Sequence, residues 1–154
     1  MELDRLARLT ESALRHAFAR DWEPAAAAVT EITDIGDAAD MYVACCGFAE
    51  IGRAQLLTLY PGGPSAPAHG RVWQPGHIRR AIRPDADAHD AFAARFLAAW
   101  ANEDTTTTVA LYATANHAGT ATRTESVCAL LAHVTSLRHD ARTATMCIRT
   151  RDDG

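Results

Sequence analysis

The first third of the chain places apolar side chains at the three- and four-residue intervals of amphipathic helices. Residues 2–19 carry one such stripe opposite a face rich in arginine. Asp21 is placed to cap a second helix, whose first turn tolerates Pro24. A third helix is predicted over residues 38–60, after the break at "DIGD". Because this third helix is apolar nearly all round, we expect it to run through the centre of the fold.

Two faces of the predicted third helix favour burial. Met41 and Phe48 belong to the first face, which follows regular helical spacing. Val43, Gly47 and Ala54 form a second face of small residues. We expect another helix to approach closely along this second face.

Helical periodicity returns after residue 86. The apolar pattern predicts a helix over residues 87–102, a short helix that ends at Gly119, and a long helix to about residue 140. The last of these opens with "TRTE", a capping-box pattern. The predicted fold class is therefore all-α, a single-domain bundle of about six helices.

The segment over residues 60–86 differs in composition from the helices on either side. It holds five of the six prolines and four of the nine glycines, so a helix cannot continue through it. The sequence therefore predicts a helical domain over residues 1–142 with a long loop in its middle, and a C-terminal tail over 143–154 that docks as an extended segment. An alternative interpretation is that the loop joins two diverged three-helix halves, since "VTEITDIGDAADMYVACC" resembles "LAAWANEDTTTTVALYAT" in layout.

Composition excludes several functions. All 15 basic residues are arginine, which leaves no lysine for a Schiff base or a nucleotide-binding P-loop. The net charge of −4 gives no general attraction to nucleic acid, and we do not expect nucleic acid as a partner. No apolar run approaches the roughly 20 residues that cross a bilayer, and the N-terminus lacks the pattern of a signal peptide. We therefore expect a cytoplasmic protein that is not associated with a membrane.

Cys45 and Cys46 stand side by side within the predicted third helix. Their Cα atoms would lie about 3.8 Å apart, which is closer than a disulfide normally allows. The chain also lacks a C-x-x-C pattern, the usual arrangement in thiol redox sites and structural zinc sites. Since cysteine is among the most frequently buried residues, we interpret the pair as core packing.

Two other groups of polar residues resemble sites but fit them poorly. Ser126, His133 and Asp140 are spaced seven residues apart on the last predicted helix, which separates neighbours by about 10.5 Å and excludes a catalytic triad among these three. "DADAHDAF", residues 85–92, contains metal-ligand types, but acidic residues are also what a helix N-terminus favours. We therefore predict no catalytic residue, no metal site and no cofactor.

A cluster of basic and aromatic residues in the loop is the strongest candidate for binding. No acidic residue interrupts the stretch from Tyr60 to Pro84. Guanidinium groups bind carboxylates and phosphates, and an indole stacks on rings and cations. The alternative is a surface crossover whose arginines pair with acidic helices of the same chain. The candidate residues are Arg71, Trp73, His77, Arg79, Arg80 and Arg83.

The pattern as a whole favours a small, non-catalytic accessory or adaptor protein that acts through contacts with a protein partner or by self-association, including a homodimer. The alternative is a ligand-binding or regulatory helical domain that recognises a small or anionic ligand near residues 69–83. We expect the pocket of such a domain to lie beside Trp100, Phe96 and Tyr42. An enzyme that uses loop residues ranks last, because a loop rich in proline and glycine positions a catalytic base poorly.

Overall fold

The computed structural model describes residues 1–64, 72–78 and 87–152. For His77 and for residues 148–152 it describes the backbone only. All of the regular structure in these ranges is helical. The predicted all-α bundle is confirmed, with six long helices and one single-turn helix, α4, in these ranges. The elements are α1 (Leu3–Phe18), α2 (Trp22–Ile35), α3 (Ala38–Leu59), α4 (Pro75–Ile78), α5 (Ala88–Ala101), α6 (Thr105–His117) and α7 (Thr120–Asp152).

Helices α3 and α7 pack along each other in the middle of the bundle. Helix α5 contacts both of them, α1 and α2 pair with each other, and α6 packs on α5 and α7. Met41, Phe48 and Leu56 of α3 are fully buried. The predicted central position of the third helix is therefore confirmed.

Close approach between helices in this core depends on Gly52. A Cβ atom added at Gly52 would lie 2.6 Å from Cδ2 of Leu97 on α5 and 3.2 Å from Cγ2 of Val134 on α7. The close approach predicted along the second face is wrong at Val43, which is 49% exposed, and at Ala54, which is also exposed. At Gly47 it is right, because an added Cβ atom would lie 3.4 Å from Cγ2 of Thr10 on α1. The tighter packing of α3 is on the side that faces α5 and α7.

The turn between α1 and α2 forces a non-glycine residue into the left-handed region of backbone space. Arg20 has a φ of 60°. Its N–H donates to the carbonyl of Ala17 at 2.9 Å, and the N–H of Asp21 donates to the carbonyl of His16 at 2.9 Å. These two bonds form a Schellman motif, which satisfies the last carbonyls of α1.

The same turn joins α5 to α6. Glu103 has a φ of 60° and donates its N–H to the carbonyl of Trp100 at 3.0 Å. The N–H of Asp104 donates to the carbonyl of Ala99 at 2.9 Å. In both places the next residue, Asp21 or Asp104, is the N-cap of the following helix.

These turns show which residues of the two halves of the chain correspond to each other. Asp104 lies 83 positions after Asp21, and Gly119, between α6 and α7, lies 83 positions after Gly36, between α2 and α3. The order α1–α2–α3 therefore corresponds to α5–α6–α7. This register differs from the resemblance noted in the sequence, which set α2 and α3 against α5 and α6.

The beginning of α3 is fixed by a capping box. The Asp37 carboxylate accepts from the backbone N–H groups of Ala39 at 2.8 Å and Asp40 at 2.9 Å. In return, the Asp40 carboxylate accepts from the N–H of Asp37 at 3.0 Å. The central helix thus starts at a defined residue, directly after the "DIGD" break from which the sequence predicted its beginning.

The predicted extended tail over 143–154 is wrong over the described residues, because α7 continues to Asp152. This part of the helix contains neither proline nor glycine. The hydroxyl groups of Thr143 and Thr145 donate to the carbonyls of His139 and Ala141, one turn back, at 3.0 and 2.9 Å. Threonine can therefore remain within a helix here, and the weak alternation of apolar residues does not indicate a strand.

Candidate functional site

A groove of about 600 Å³ opens between α5, α6 and α7. Ligand sites in proteins commonly have volumes of about 300–1,000 Å³. The groove is lined by Ala88, His89, Ala91, Phe92, Arg95, Thr106, Thr107, Ala110, Leu111, Thr114, Ala115, Ala118, Thr122 and Ser126.

Short side chains explain why the groove stays open. The α6 wall presents Ala110, Ala115 and Ala118 together with threonines, and the α5 wall presents Ala88 and Ala91. None of these side chains is long enough to reach across the space between the helices. The walls therefore combine methyl groups with hydroxyl groups.

The charges of the groove are one-sided. Its lining residues within the described ranges include Arg95 and the ionisable His89 and no carboxylate. The Arg95 side chain is exposed, and no ion pair or hydrogen bond holds its guanidinium within the part of the chain that the structure describes. An anionic group in the groove would therefore meet a cation that is not neutralised by the described residues.

A hydrogen-bonded chain of three side chains lies at one end of the groove. Nδ1 of His89, on α5, is 3.0 Å from Oγ of Ser126, on α7. Nε2 of the same imidazole is 3.0 Å from a carboxylate oxygen of Glu125. Ser126 is only 3% exposed, whereas Glu125 faces solvent. The imidazole thus connects a hydroxyl in the groove wall to a surface carboxylate.

A second histidine links the same two helices. Nε2 of His133, on α7, is 3.3 Å from Oδ1 of Asp90, on α5. His133 does not line the groove. Its contact with Asp90 therefore fixes α5 against α7 beside the groove.

Tyrosines anchor α6 on the side away from the groove. The hydroxyl of Tyr112 donates to the carbonyl of Ala38 at 2.7 Å, at the start of α3. Burial raises the pKa of Tyr112 to about 12. The hydroxyl of Tyr42 lies 3.0 Å from that of Thr108, which is fully buried. One wall of the groove is therefore held in place through polar contacts with α3.

Trp73 is the only predicted binding residue whose side chain the structure describes. Its ring is buried and meets Tyr60 edge to face, with 5.7 Å between ring centroids. Its backbone N–H donates to Oδ1 of Asn102 at 2.7 Å, and its carbonyl accepts from Nδ2 of Asn102 at 2.8 Å. Trp73 therefore fastens its segment to the end of α5.

The other loop candidates fall outside the described structure. For His77 only the backbone is described, as part of α4. Arg71, Arg79, Arg80 and Arg83 lie outside the described residues. Anion binding by this segment stays a prediction.

The expected pocket beside Trp100, Phe96 and Tyr42 is not the groove. Phe96 is fully buried, with its ring 6.3 Å from that of Tyr42. The indole N–H of Trp100 donates to the carboxylate of Glu50 at 2.9 Å. The sequence gives only a weak signal for the groove, namely that most side chains of α6 are short.

The cysteine pair is divided between core and edge. Cys45 is fully buried, as core packing requires, while Cys46 is half-buried. Burial raises the pKa of both thiols. The packing interpretation is therefore confirmed for Cys45.

Within the described ranges, no three His, Cys, Asp or Glu side chains are grouped so that they could hold a metal ion. None of the described helices has both the length and the apolar character needed to cross a bilayer. Comparison with protein-family models, curated proteins and solved structures found no match.

Proposed function

We propose that this protein is a helical ligand-binding domain whose α5–α6–α7 groove takes a small amphipathic ligand with an apolar body and one anionic group. The observation that carries the proposal is the groove itself, about 600 Å³ in volume and walled by methyl, hydroxyl and aromatic groups. Helical bundles build ligand sites between facing helices in this way.

The lining supports an elongated apolar body. Phe92 and Leu111 offer apolar surface, and the alanines leave room beside them. Removing apolar surface from water contributes about 25 cal/mol per Å² of buried area, so a ligand with a hydrocarbon chain would be stabilised along these walls. Hydroxyls of the groove threonines can bond to polar atoms of the ligand.

Arg95 supports the anionic end. A guanidinium group can donate two parallel hydrogen bonds to one carboxylate. Among the lining residues that the structure describes, no carboxylate competes with the ligand for Arg95. We therefore assign specificity for a carboxylate or a similar anion to this residue.

Calorimetric titration with octanoate tests the proposal. We expect saturable binding at one site, weakened about 10-fold or more by Arg95→Gln, because a charge-assisted hydrogen bond is lost. Arg142→Gln serves as the matched control, since Arg142 is an exposed arginine on α7 outside the groove.

A neutral ligand separates the two parts of the site. Octan-1-ol should bind the native protein and the Arg95→Gln variant equally, because it uses only the apolar walls. Absence of octanoate binding to the native protein overturns the proposed function. Octanoate binding that Arg95→Gln leaves unchanged contradicts the assignment of the anionic end.

The accessory or adaptor role is the second candidate, and the outer face of α3 supports it. Val43 and Leu57 lie on this face and are 49% and 46% exposed, with the exposed Ala54 between them. Sedimentation equilibrium of the native protein and of the double variant Val43→Glu, Leu57→Glu tests the self-association form of this role. A native protein that stays monomeric at high concentration counts against self-association.

A further inference from the structure

The three-residue chain Ser126–His89–Glu125 has a direction that follows from its donors and acceptors. An ionised carboxylate only accepts hydrogen bonds, so Nε2 of His89 carries the proton that faces Glu125. In a neutral imidazole the other nitrogen, Nδ1, is then an acceptor. The hydroxyl of Ser126, 3.0 Å from Nδ1, must therefore be the donor. Its proton points at a base, and its lone pairs are left for a group in the groove.

We propose that Ser126 is a nucleophile that accepts an acyl group from an ester bound in the groove, with His89 as its base and Glu125 as the residue that orients the imidazole. The distances from nucleophile to base and from base to carboxylate, both 3.0 Å, lie within hydrogen-bond reach. This inference adds an activity to the binding function and rests on it, because the ester must enter the groove.

The chemistry needs only the ester and water. In the first step Oγ of Ser126 bonds to the ester carbonyl carbon while its proton passes to Nδ1 of His89. The bond from carbon to the alcohol oxygen then breaks, and the alcohol leaves with the proton from His89. In the second step water, deprotonated by His89, attacks the acyl-serine, releases a carboxylic acid and restores the Ser126 hydroxyl. No oxidant, reductant or metal takes part in either step.

The groove supplies the remaining parts of an acyl-transfer site. Phe92, Leu111 and Ala115 are apolar walls for the acyl chain. Thr122 lies one helical turn before Ser126 on α7 and lines the same groove, so its hydroxyl is a donor for the developing oxyanion. The low exposure of Ser126 keeps the nucleophile at the wall of the groove and out of contact with bulk water.

The acid product of this reaction has the chemistry assigned to the ligand of the groove. An apolar acyl chain that ends in a carboxylate can stay bound through Arg95 after its alcohol has left. We therefore expect octanoate to compete with an ester for the site.

Reaction with p-nitrophenyl hexanoate tests the proposal on the full chain. We expect release of p-nitrophenolate, a mass increase of one hexanoyl group per chain, and peptide mapping that assigns this group to Ser126. Ser126→Ala and His89→Gln should each lower the rate of p-nitrophenolate release at least about 100-fold, as loss of a nucleophile or general base does. Ser126→Cys should retain acylation through the thiol at this position.

Matched controls lie on the same helix. Ser136→Ala and His139→Gln alter exposed residues of α7 outside the groove and should leave the rate unchanged. Glu125→Gln should lower the acylation rate about 10-fold, as loss of a carboxylate that orients a histidine commonly does, and should leave the KM for the ester unchanged. A residue with only a structural role would not produce this split.

The outcomes separate this inference from the binding function. Acylation mapped only to another serine, a cysteine or the terminal amine overturns it, as does a rate that Ser126→Ala leaves unchanged. Octanoate binding without any acylation overturns the nucleophile and leaves the binding function standing. If Ser126→Ala reduces thermal stability, Ser126→Cys and Glu125→Gln give the test in a folded protein. Acylation of Ser126→Cys that does not map to the thiol at position 126, or a rate that Glu125→Gln leaves unchanged, overturns the proposal.

Discussion

The two halves of the chain share the turn between their first and second helices but differ in how the second helix of each half meets its neighbours. In α1–α2–α3, Ile32 of α2 is fully buried in the core. The position that lies 83 residues later is Ala115 of α6, which lines the groove. Likewise Leu6 of α1 is buried, and its counterpart on α5 is His89. A shorter side chain at one of these positions and a polar one at the other thus accompany the difference between a filled space and an open groove.

This comparison shows that an open groove and a filled core can both form beside helices that are joined by the same kind of turn. The backbone turns at Arg20 and Glu103 have the same φ, and the Asp residues that follow them are both N-caps. The following predictions test this difference in order of the expected change in the free energy of unfolding.

Ile32→Ala should have the largest effect. Truncating a fully buried isoleucine typically lowers the free energy of unfolding by about 2–5 kcal/mol, because a cavity remains. Urea denaturation measures this loss. Ile35→Ala on the same helix is the control, since Ile35 is 45% exposed and its truncation should change stability by less than about 1 kcal/mol. Equal losses of stability in the two variants would show that Ile32 does not fill the space between α2 and the core.

Gly52→Val tests the closed side of the comparison. The added atoms would meet Leu97 and Val134 at distances where neighbours must move. Overpacking of this kind lowers the free energy of unfolding by about 1–3 kcal/mol, measurable as a lower midpoint in urea. Gly47→Ala is the matched control on α3, because its new Cβ would lie 3.4 Å from Cγ2 of Thr10. This control should raise stability by about 0.5–1 kcal/mol through helix propensity. Tolerance of valine at position 52 would contradict the close approach of the three helices.

Tyr112→Phe tests the anchor that holds the α6 wall. The substitution leaves the carbonyl of Ala38 without its donor and should lower the free energy of unfolding by about 1 kcal/mol at neutral pH. The pKa of Tyr112 is raised to about 12, above its ordinary value of about 10. Its stabilising contribution is therefore complete below pH ~10 and is lost as pH rises toward 12. Denaturation curves across this range should converge for native protein and variant. A constant difference between the two would contradict the assigned anchor.

Ala115→Ile should have the smallest effect on stability and a large effect on binding. The longer side chain enters space that already exists, so we expect a rise of about 0.5 kcal/mol in the free energy of unfolding. Octanoate binding should weaken at least about 10-fold, because the groove then resembles the filled half. Ala27→Ile, at an exposed site on α2, should leave binding unchanged. Octanoate affinity that survives Ala115→Ile would place the ligand elsewhere.

The fold followed from the sequence wherever apolar periodicity and caps agreed. The central helix begins at Asp37 and buries Met41 and Phe48 because its apolar spacing is regular. Apolar spacing does not show where α6 begins, since its first apolar residues are Val109 and Ala110 and the helix starts at Thr105. In the structure Asp104 caps this helix, and its carboxylate accepts from the N–H of Thr107 at 3.0 Å. The first turn of α6 consists of four threonines, so the spacing of apolar residues does not reveal it.

The groove could not be predicted from the sequence for a physical reason. Nine of its 14 described lining residues are alanine or threonine, which occur on both buried and exposed helix faces of this chain. The pairing of His89 with Ser126 depends on the axial offset between α5 and α7. The apolar pattern of neither helix specifies this offset. Ser126 was considered only with His133 and Asp140 on its own helix, while its actual partner comes from another. A site of this kind is defined by contacts between helices, which the spacing of residues along one helix does not specify.

The paired turns at Arg20 and Glu103 also bear on ancestry. A left-handed residue other than glycine costs about 1–2 kcal/mol, and it occurs directly before an aspartate at the N-cap position in both halves. This repetition favours the interpretation that the chain consists of two diverged halves. On this interpretation, a half-length ancestor would have needed a second copy of itself to cover the face of its third helix, which corresponds to α3 and α7. The contact between α3 and α7 would then descend from the interface between two subunits.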